Sequence, residues 1–284
     1  MTFEIDPLLA KNASADAVAL SAIKREIVNI LDSYVGWFDP FSELIQNALD
    51  AVDANRSASK NRKGLIRVII DLSENCLTVT DNGTGLTKDQ FEKFLAPSFS
   101  FKSGKTRGYK GVGATYLAYG FNEIQIATKS AGFSAHGYMV GGRNWLSDEN
   151  PSGNPKLVEN DTDPFDDQFD SLDSGTSVTV FFDEDTRPGK LSWLSATTAE
   201  QWEAILTLKT GLGCIPERDD LTANIEVIDV EGNATSIELD KLSYCWPHQF
   251  LRKTKSVLDI KMKDEALFKK HGAAFNRPSQ FRNL

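Results

Sequence analysis

Cysteine and histidine are both scarce, three of each in 284 residues. Cys76, Cys214 and Cys245 stand far apart, in no C-x-x-C pair and no zinc-finger spacing. They therefore read as reduced thiols, and neither a disulfide framework nor a cysteine-rich zinc site is expected. His136, His248 and His271 are equally scattered and point to no metal site. No apolar run approaches the roughly 18–20 residues needed to cross a bilayer. The opening segment, Met1 to Pro7, has no basic stretch leading into an apolar one, so no export signal is expected and a cytoplasmic location is the default. Positive charge is short as well: 31 Lys and Arg stand against 40 Asp and Glu, for a net charge of −9. That balance argues against a chain devoted to nonspecific nucleic-acid binding.

What remains is ordinary for a globular protein. Hydrophobic residues make up 40% and charged residues 25%, enough for one large core with or without a smaller appendage. The charge is uneven: residues 148–173 hold nine acids and a single base, Lys156, whereas residues 250–284 hold nine bases and three acids. The basic stretch reads as a solvated face near the end of the chain. The acidic stretch belongs to a segment, 146–173, punctuated by Pro, Gly and Asn, which reads as a long surface loop.

Periodicity supplies the elements. Val18, Ile23, Ile27, Ile30 and Leu31 recur at helical spacing over 16–36, with Asp16 as a cap and Gly36 as a stop. A second helix is predicted to start after Asp39, with Pro40 at its first position, and to run to about Asn55. Strands are expected at 65–71, 77–80, 123–129, 133–140 and 176–182, and short helices at 87–95 and 112–120. After Pro188 the pattern shifts to a helix at 198–210 and a hairpin, 225–230 with 235–239, turned at Glu231-Gly232-Asn233. A domain boundary is placed near residue 190, leaving 191–284 as a small C-terminal α+β extension.

Three motifs carry chemistry. In Glu43-Leu44-Ile45-Gln46-Asn47-Ala48-Leu49-Asp50-Ala51, helical spacing sets Glu43, Asn47, Asp50 and Ala54 on one face and Leu44, Ile45, Ala48 and Val52 on the other. Alone, such a polar stripe is also what any solvated amphipathic helix shows. Next, Asp81-Asn82-Gly83-Thr84-Gly85 follows directly on a strand. Asn-Gly there is a hairpin signal, yet a helix rather than a pairing strand comes after it. Paired glycines beside a strand-end carboxylate also suit a close backbone approach to a ligand whose exocyclic amine the Asp could accept. Last, Gly108-Tyr109-Lys110-Gly111-Val112-Gly113 opens a helix, where backbone N–H groups and the helix dipole favour an anion. A long polar loop precedes it, so it is not a dinucleotide fingerprint, and the absence of GK[ST] excludes a Walker A loop.

Taken in this order, with a Lys/Ser/Gly-rich loop before the third motif and Gly175-Thr176 opening a late strand, the motifs resemble the GHKL superfamily. That superfamily includes type II topoisomerase ATPase subunits, MutL proteins, ninety-kilodalton heat-shock chaperones, MORC proteins and sensor histidine kinases. The run GYKGVGATYLAYG, Gly108 to Gly120, is most similar to the chaperone and MORC branches. The resemblance covers about residues 16–186 and implies a Bergerat fold, a two-layer α/β sandwich of α+β class. It implies ATP and Mg²⁺ as ligands, with Asn47 as the metal ligand and Asp50 behind it. Asp81 would accept from the adenine amino group, Gly83 and Gly85 would run close to the base, and the Thr176 hydroxyl would hold the Asp81 end. Gly108, Gly111, Val112 and Gly113 would wrap the phosphates with Lys110 as an electrostatic helper, and Lys102 and Lys105 would reach in from a lid. Glu43 would be the general base.

The expected activity is therefore slow, Mg²⁺-dependent ATP hydrolysis coupled to lid closure and to homodimerisation or entry into a larger assembly with a protein partner. Residues 191–284 are too short for the full domain that, in related ATPases, brings a Lys or Arg to the γ-phosphate; Lys253 and Lys255 are candidates by position alone. The main alternative is a nucleotide-sensing interaction module with negligible turnover. A GHKL-type protein kinase ranks below both, because Glu43 is present and no histidine precedes His136.

Overall fold

The computed structural model describes residues 3–8, 17–58, 63–98, 112–149, 151, 153–217 and 219–239. The described helices are α1 (Ala17–Leu31), α2 (Asp39–Ala58), α3 (Lys88–Lys93), α4 (Val112–Tyr119), α5 (Gly142–Ser147) and α6 (Ala199–Lys209). The strands are β1 (Glu4–Ile5), β2 (Gly64–Asp71), β3 (Cys76–Asp81), β4 (Glu123–Ser130), β5 (Phe133–Val140), β6 (Leu157–Glu159), β7 (Gly175–Phe181), β8 (Leu221–Ile228) and β9 (Ala234–Glu238). All nine lie in one sheet, in the order β1-β6-β5-β4-β7-β3-β2-β8-β9. Neighbours run antiparallel except β2 and β8, which run parallel.

Period-2 alternation sorts each central strand into two faces. In β2, Ile66, Val68 and Ile70 are fully buried on one side while Arg67, Ile69 and Asp71 point to the other. Register continues the first face through Val79 and Leu77 of β3, Val178 and Val180 of β7, and Ile126 and Ile124 of β4. Against it pack Leu44, Ile45, Ala48 and Val52 of α2, the four residues expected to form that helix's apolar side. Trp202 of α6 stacks on Phe41 of α2 at 5.5 Å, so the helical layer is one continuous body. Helix α1 turns in Ile23 and Ile27, but Val18 is 79% exposed and lies outside the buried stripe expected for it.

The opposite face of the sheet is polar and nonetheless buried. Thr78 bonds Thr179 across β3 and β7, and Thr80 donates to Ser177, both at 2.8 Å. The acidic segment, expected as a surface loop, packs on this face while most of its acids stay exposed. Its β6 pairs with β5 and β1, after which Asp166, 1% exposed, bonds Arg67, Phe165 meets Phe181 edge-on at 5.3 Å, and Asp170 pairs with Lys129 at 2.9 Å. The acids that made the segment read as solvated are thus partly consumed by cations of the sheet.

A correction concerns the boundary expected near 190. Strands β8 and β9 extend the same sheet, and the compact unit runs from Met1 to Lys241, with Leu242–Leu284 as a separate unit. Parallel pairing between strands distant in sequence leaves no local signature, so the sequence alone does not show that β8 belongs to the same sheet. The basic stretch 250–284 lies outside the described residues.

Candidate functional site

Helix α2 begins with Asp39 and Pro40, an acid and a fixed φ that both suit a first turn. Packing of its apolar side fixes its rotation, which sets Glu43 and Asn47, both half-buried, and the buried Asp50 on the remaining stripe. The stripe offers two carboxylates and an amide oxygen, hard donors suited to Mg²⁺ shared with phosphate and water. Among the described residues, no three Asp, Glu, His or Cys side chains come together to hold a metal on their own.

Asp81 ends β3 opposite Thr176 of β7. It is 5% exposed, and burial pushes its carboxyl up to about 7 even though backbone N–H groups of Gly83 and Thr176 bond it. The N–H of Gly83 is 2.7 Å from Oδ1. The contact seen from Thr176 is thus through its backbone, where its hydroxyl was expected. The turn that follows is held from several sides. Asn55, two turns beyond Asn47 on α2, donates through Nδ2 to the carbonyls of Asn82 and Gly83 at 2.9 and 3.0 Å. Ser174 donates to the Gly83 carbonyl at 2.7 Å, and Thr128 accepts from the Leu86 N–H at 2.8 Å. Asn82 ties the turn to the start of β2, accepting from Leu65 N–H at 2.8 Å and donating to the Lys63 carbonyl at 3.0 Å.

The glycines of this turn make room for the protein itself. A β-carbon on Gly83 would lie 2.6 Å from backbone and side-chain carbons of Ala51, so glycine lets the turn rest on α2. Gly85 has φ +65°, and a β-carbon there would lie 1.8 Å from the Lys129 carbonyl oxygen. At the start of α4, a β-carbon on Gly113 would lie 2.1 Å from Glu43 Oε2. The third motif therefore meets the first: the opening turn of α4 faces the Glu43 carboxylate, while Tyr34 donates to Glu43 Oε1 at 2.9 Å.

The structure thus places Glu43, Asn47, Asp50, Asp81, Gly83, Gly85, Val112, Gly113 and Thr176 along α2, at the adjoining end of β3 and β7, and in the first turn of α4. Lys102, Lys105, Gly108, Lys110 and Gly111 lie outside the described residues, as do Lys253 and Lys255. Tyr34, Asn55, Thr128 and Ser174 are not marked by any sequence motif. A cleft of about 590 Å³, lined among others by Ala22, Arg25, Glu26, Ser98 and Val112, opens beside α1 and touches neither Glu43, Asn47 nor Asp81.

Residues 39–186, just over half of the chain, match the sequence model of the family described as histidine kinase-, DNA gyrase B- and HSP90-like ATPase. Among characterised proteins, the chaperone protein HtpG of Bacteroides fragilis strains 638R and YCH46 is 24% identical over 156 residues. That alignment covers 51% of this chain and 21% of HtpG, so the chain spans about a fifth of the length of the curated relatives it matches. Among the described residues no helix is long and apolar enough to cross a membrane. With the first two motifs and the end of the third, at Gly113, meeting beside a mixed sheet backed by helices, the chain belongs to the GHKL, or Bergerat-fold, ATPase superfamily, on its HSP90-like side.

Proposed function

We propose that the chain binds ATP with Mg²⁺ at the α2–β3–α4 junction and hydrolyses it slowly, with closure of the lid segment and pairing of two chains as the output. The observation that carries this reading is the approach of the Glu43 carboxylate to Gly113, because it sets a base beside the helix N-terminus where phosphate oxygens are best received. Asp81 takes the adenine amino group, and its burial makes that hydrogen bond selective. Asn47 supplies an oxygen to Mg²⁺, with Asp50 beside it on the helix; the metal, when bound, neutralises charge on the phosphates. Glu43 takes a proton from water as the water oxygen bonds the γ-phosphorus and the bond to the β,γ-bridging oxygen breaks, releasing ADP and inorganic phosphate.

The test is Mg·ATP calorimetry alongside steady-state phosphate release. Glu43→Ala should bind normally and lose about 10²–10⁴ in turnover. Asp81→Asn should bind about 10- to 100-fold more weakly. Wild-type turnover matched by Glu43→Ala would refute the assignment.

A second reading, a nucleotide-gated module without appreciable turnover, is favoured by one feature. The described part of the region after 190 is spent on α6, β8 and β9, which complete the sheet. Among the described residues that region forms no separate domain of the kind that brings a cation to the γ-phosphate in related ATPases. Nucleotide-dependent pairing that persists in Glu43→Ala, with no phosphate released by wild type, would select this reading.

A further inference from the structure

Tyr34 lies in the connector between α1 and α2, nine residues before Glu43. Its hydroxyl donates to Glu43 Oε1 at 2.9 Å. Burial and the neighbouring Glu43 charge hold the phenol well above its ordinary pKa, so it remains a donor at any physiological pH. The ring has little freedom. It stacks on Tyr116 of α4 with centroids 4.0 Å apart and planes within 5°, and Tyr116, 7% exposed, meets Phe121 edge-on at 5.7 Å. The connector is pinned as well: Tyr34 N–H bonds the Leu31 carbonyl at 2.9 Å, and Gly36 N–H bonds Asp39 Oδ2 at 2.7 Å. One oxygen of Glu43 is thus held by a rigid donor while the other lies where a side chain on Gly113 would sit.

We propose that Tyr34 is a positioning residue for Glu43, fixing the rotation of the carboxylate so that it faces the start of α4 and the water to be deprotonated. This rests on the reading of Glu43 as the base. A glutamate has three side-chain torsions, and the terminal one is broad. Without the phenol the carboxylate samples orientations that do not reach the attacking water, which lowers the rate of the chemical step while leaving nucleotide contacts intact. Because the same ring stacks on α4, the base is registered to the helix that receives phosphate.

The experiment compares wild type, Tyr34→Phe, Glu43→Gln and the double variant in Mg·ATP affinity, phosphate release and thermal melting. Phe keeps the stacked ring and removes only the hydroxyl. Tyr34→Phe is expected to melt and bind like wild type, with kcat down about tenfold or more. In the Glu43→Gln background the same change should alter the residual rate less than about twofold, since there is no base left to position. Three results overturn the proposal: Tyr34→Phe turning over like wild type, an equal fold-loss in both backgrounds, or a loss of kcat accounted for by weaker binding or a lower melting temperature. Equal turnover by wild type and Glu43→Gln would instead remove the base assignment, and the proposal with it.

Discussion

Asp81 and Gly113 show how single residues set the properties of the site. A carboxyl raised to about 7 by burial is protonated in the folded protein at pH values where the unfolded chain has already ionised. The folded state therefore binds more protons between the unfolded value, near 4, and about 7, and the nucleotide-free protein loses stability as pH rises through that window. Thermal melting as a function of pH should show this decline, and Asp81→Asn, which cannot titrate, should flatten it. Gly113 makes a different prediction. The three atoms nearest its missing β-carbon all belong to the far end of the Glu43 side chain, which can swing away, and alanine is the better helix former. Gly113→Ala should therefore fold with stability within about 1 kcal/mol of wild type, yet lose turnover, because the displaced group is the base. Unchanged phosphate release by a folded Gly113→Ala protein would contradict this.

Among the elements, the Asp81–Gly85 turn is the one most dependent on its surroundings. Its carbonyls at 82 and 83 receive Asn55 from α2, and Gly83 also receives Ser174 from the segment entering β7. Replacing Asn55 by Ala removes two hydrogen bonds, each worth about 0.5–1.5 kcal/mol. The turn should loosen and Mg·ATP affinity should fall several-fold, while kcat at saturating ATP stays close to wild type, since Glu43 lies three turns away on the same helix. Calorimetry set against saturated turnover separates the two effects. Gly85→Ala should be far more damaging: positive φ and a clash with the Lys129 carbonyl oxygen leave it no relief without parting the turn from β4. Loss of soluble, cooperatively melting protein is the expected outcome there.

For the whole molecule, stability depends on two long-range closures. One is the ion pair of Arg67 with Asp166, both buried, with Glu226 3.4 Å from the same guanidinium. Removing Asp166 alone takes away the one buried carboxylate on Arg67, leaving it the more exposed Glu226 and Asp167, and should cost about 3 kcal/mol, whereas replacing both partners by apolar residues of similar size should cost much less. Chemical denaturation of Asp166→Ala and of the Arg67→Met, Asp166→Leu double variant tests this. The other closure is β8 lying parallel to β2. A chain ended at residue 190 forfeits that pairing and the fully buried Trp202, and is expected not to fold; one ended at 241 keeps the whole compact unit and should melt cooperatively. Circular dichroism of the two decides it.

The sequence by itself determined the local elements and the chemistry-bearing motifs. Helical spacing in 39–58 already separated Leu44, Ile45, Ala48 and Val52 from Glu43, Asn47 and Asp50, because burial of one side of a helix is written in its period. The glycines of Asp81–Gly85 were legible as places of close backbone approach, which the sequence alone assigns to a ligand. What they approach was decided only in three dimensions: Ala51 and the Lys129 carbonyl lie 32 and 44 residues away from their glycines in the chain, beyond any local pattern. The same holds for the acidic segment. Composition made it a surface loop, and most of its acids are exposed, but composition does not contain the position of Arg67 and Lys129 on the sheet it packs against. The parallel partner of β2 escaped for the same reason, since pairing across a long crossover is fixed by the packing of the core and not by a turn. Tyr34 reaches Glu43 only because α1, α2 and α4 close around one point, a matter of tertiary packing that no spacing rule along the chain encodes.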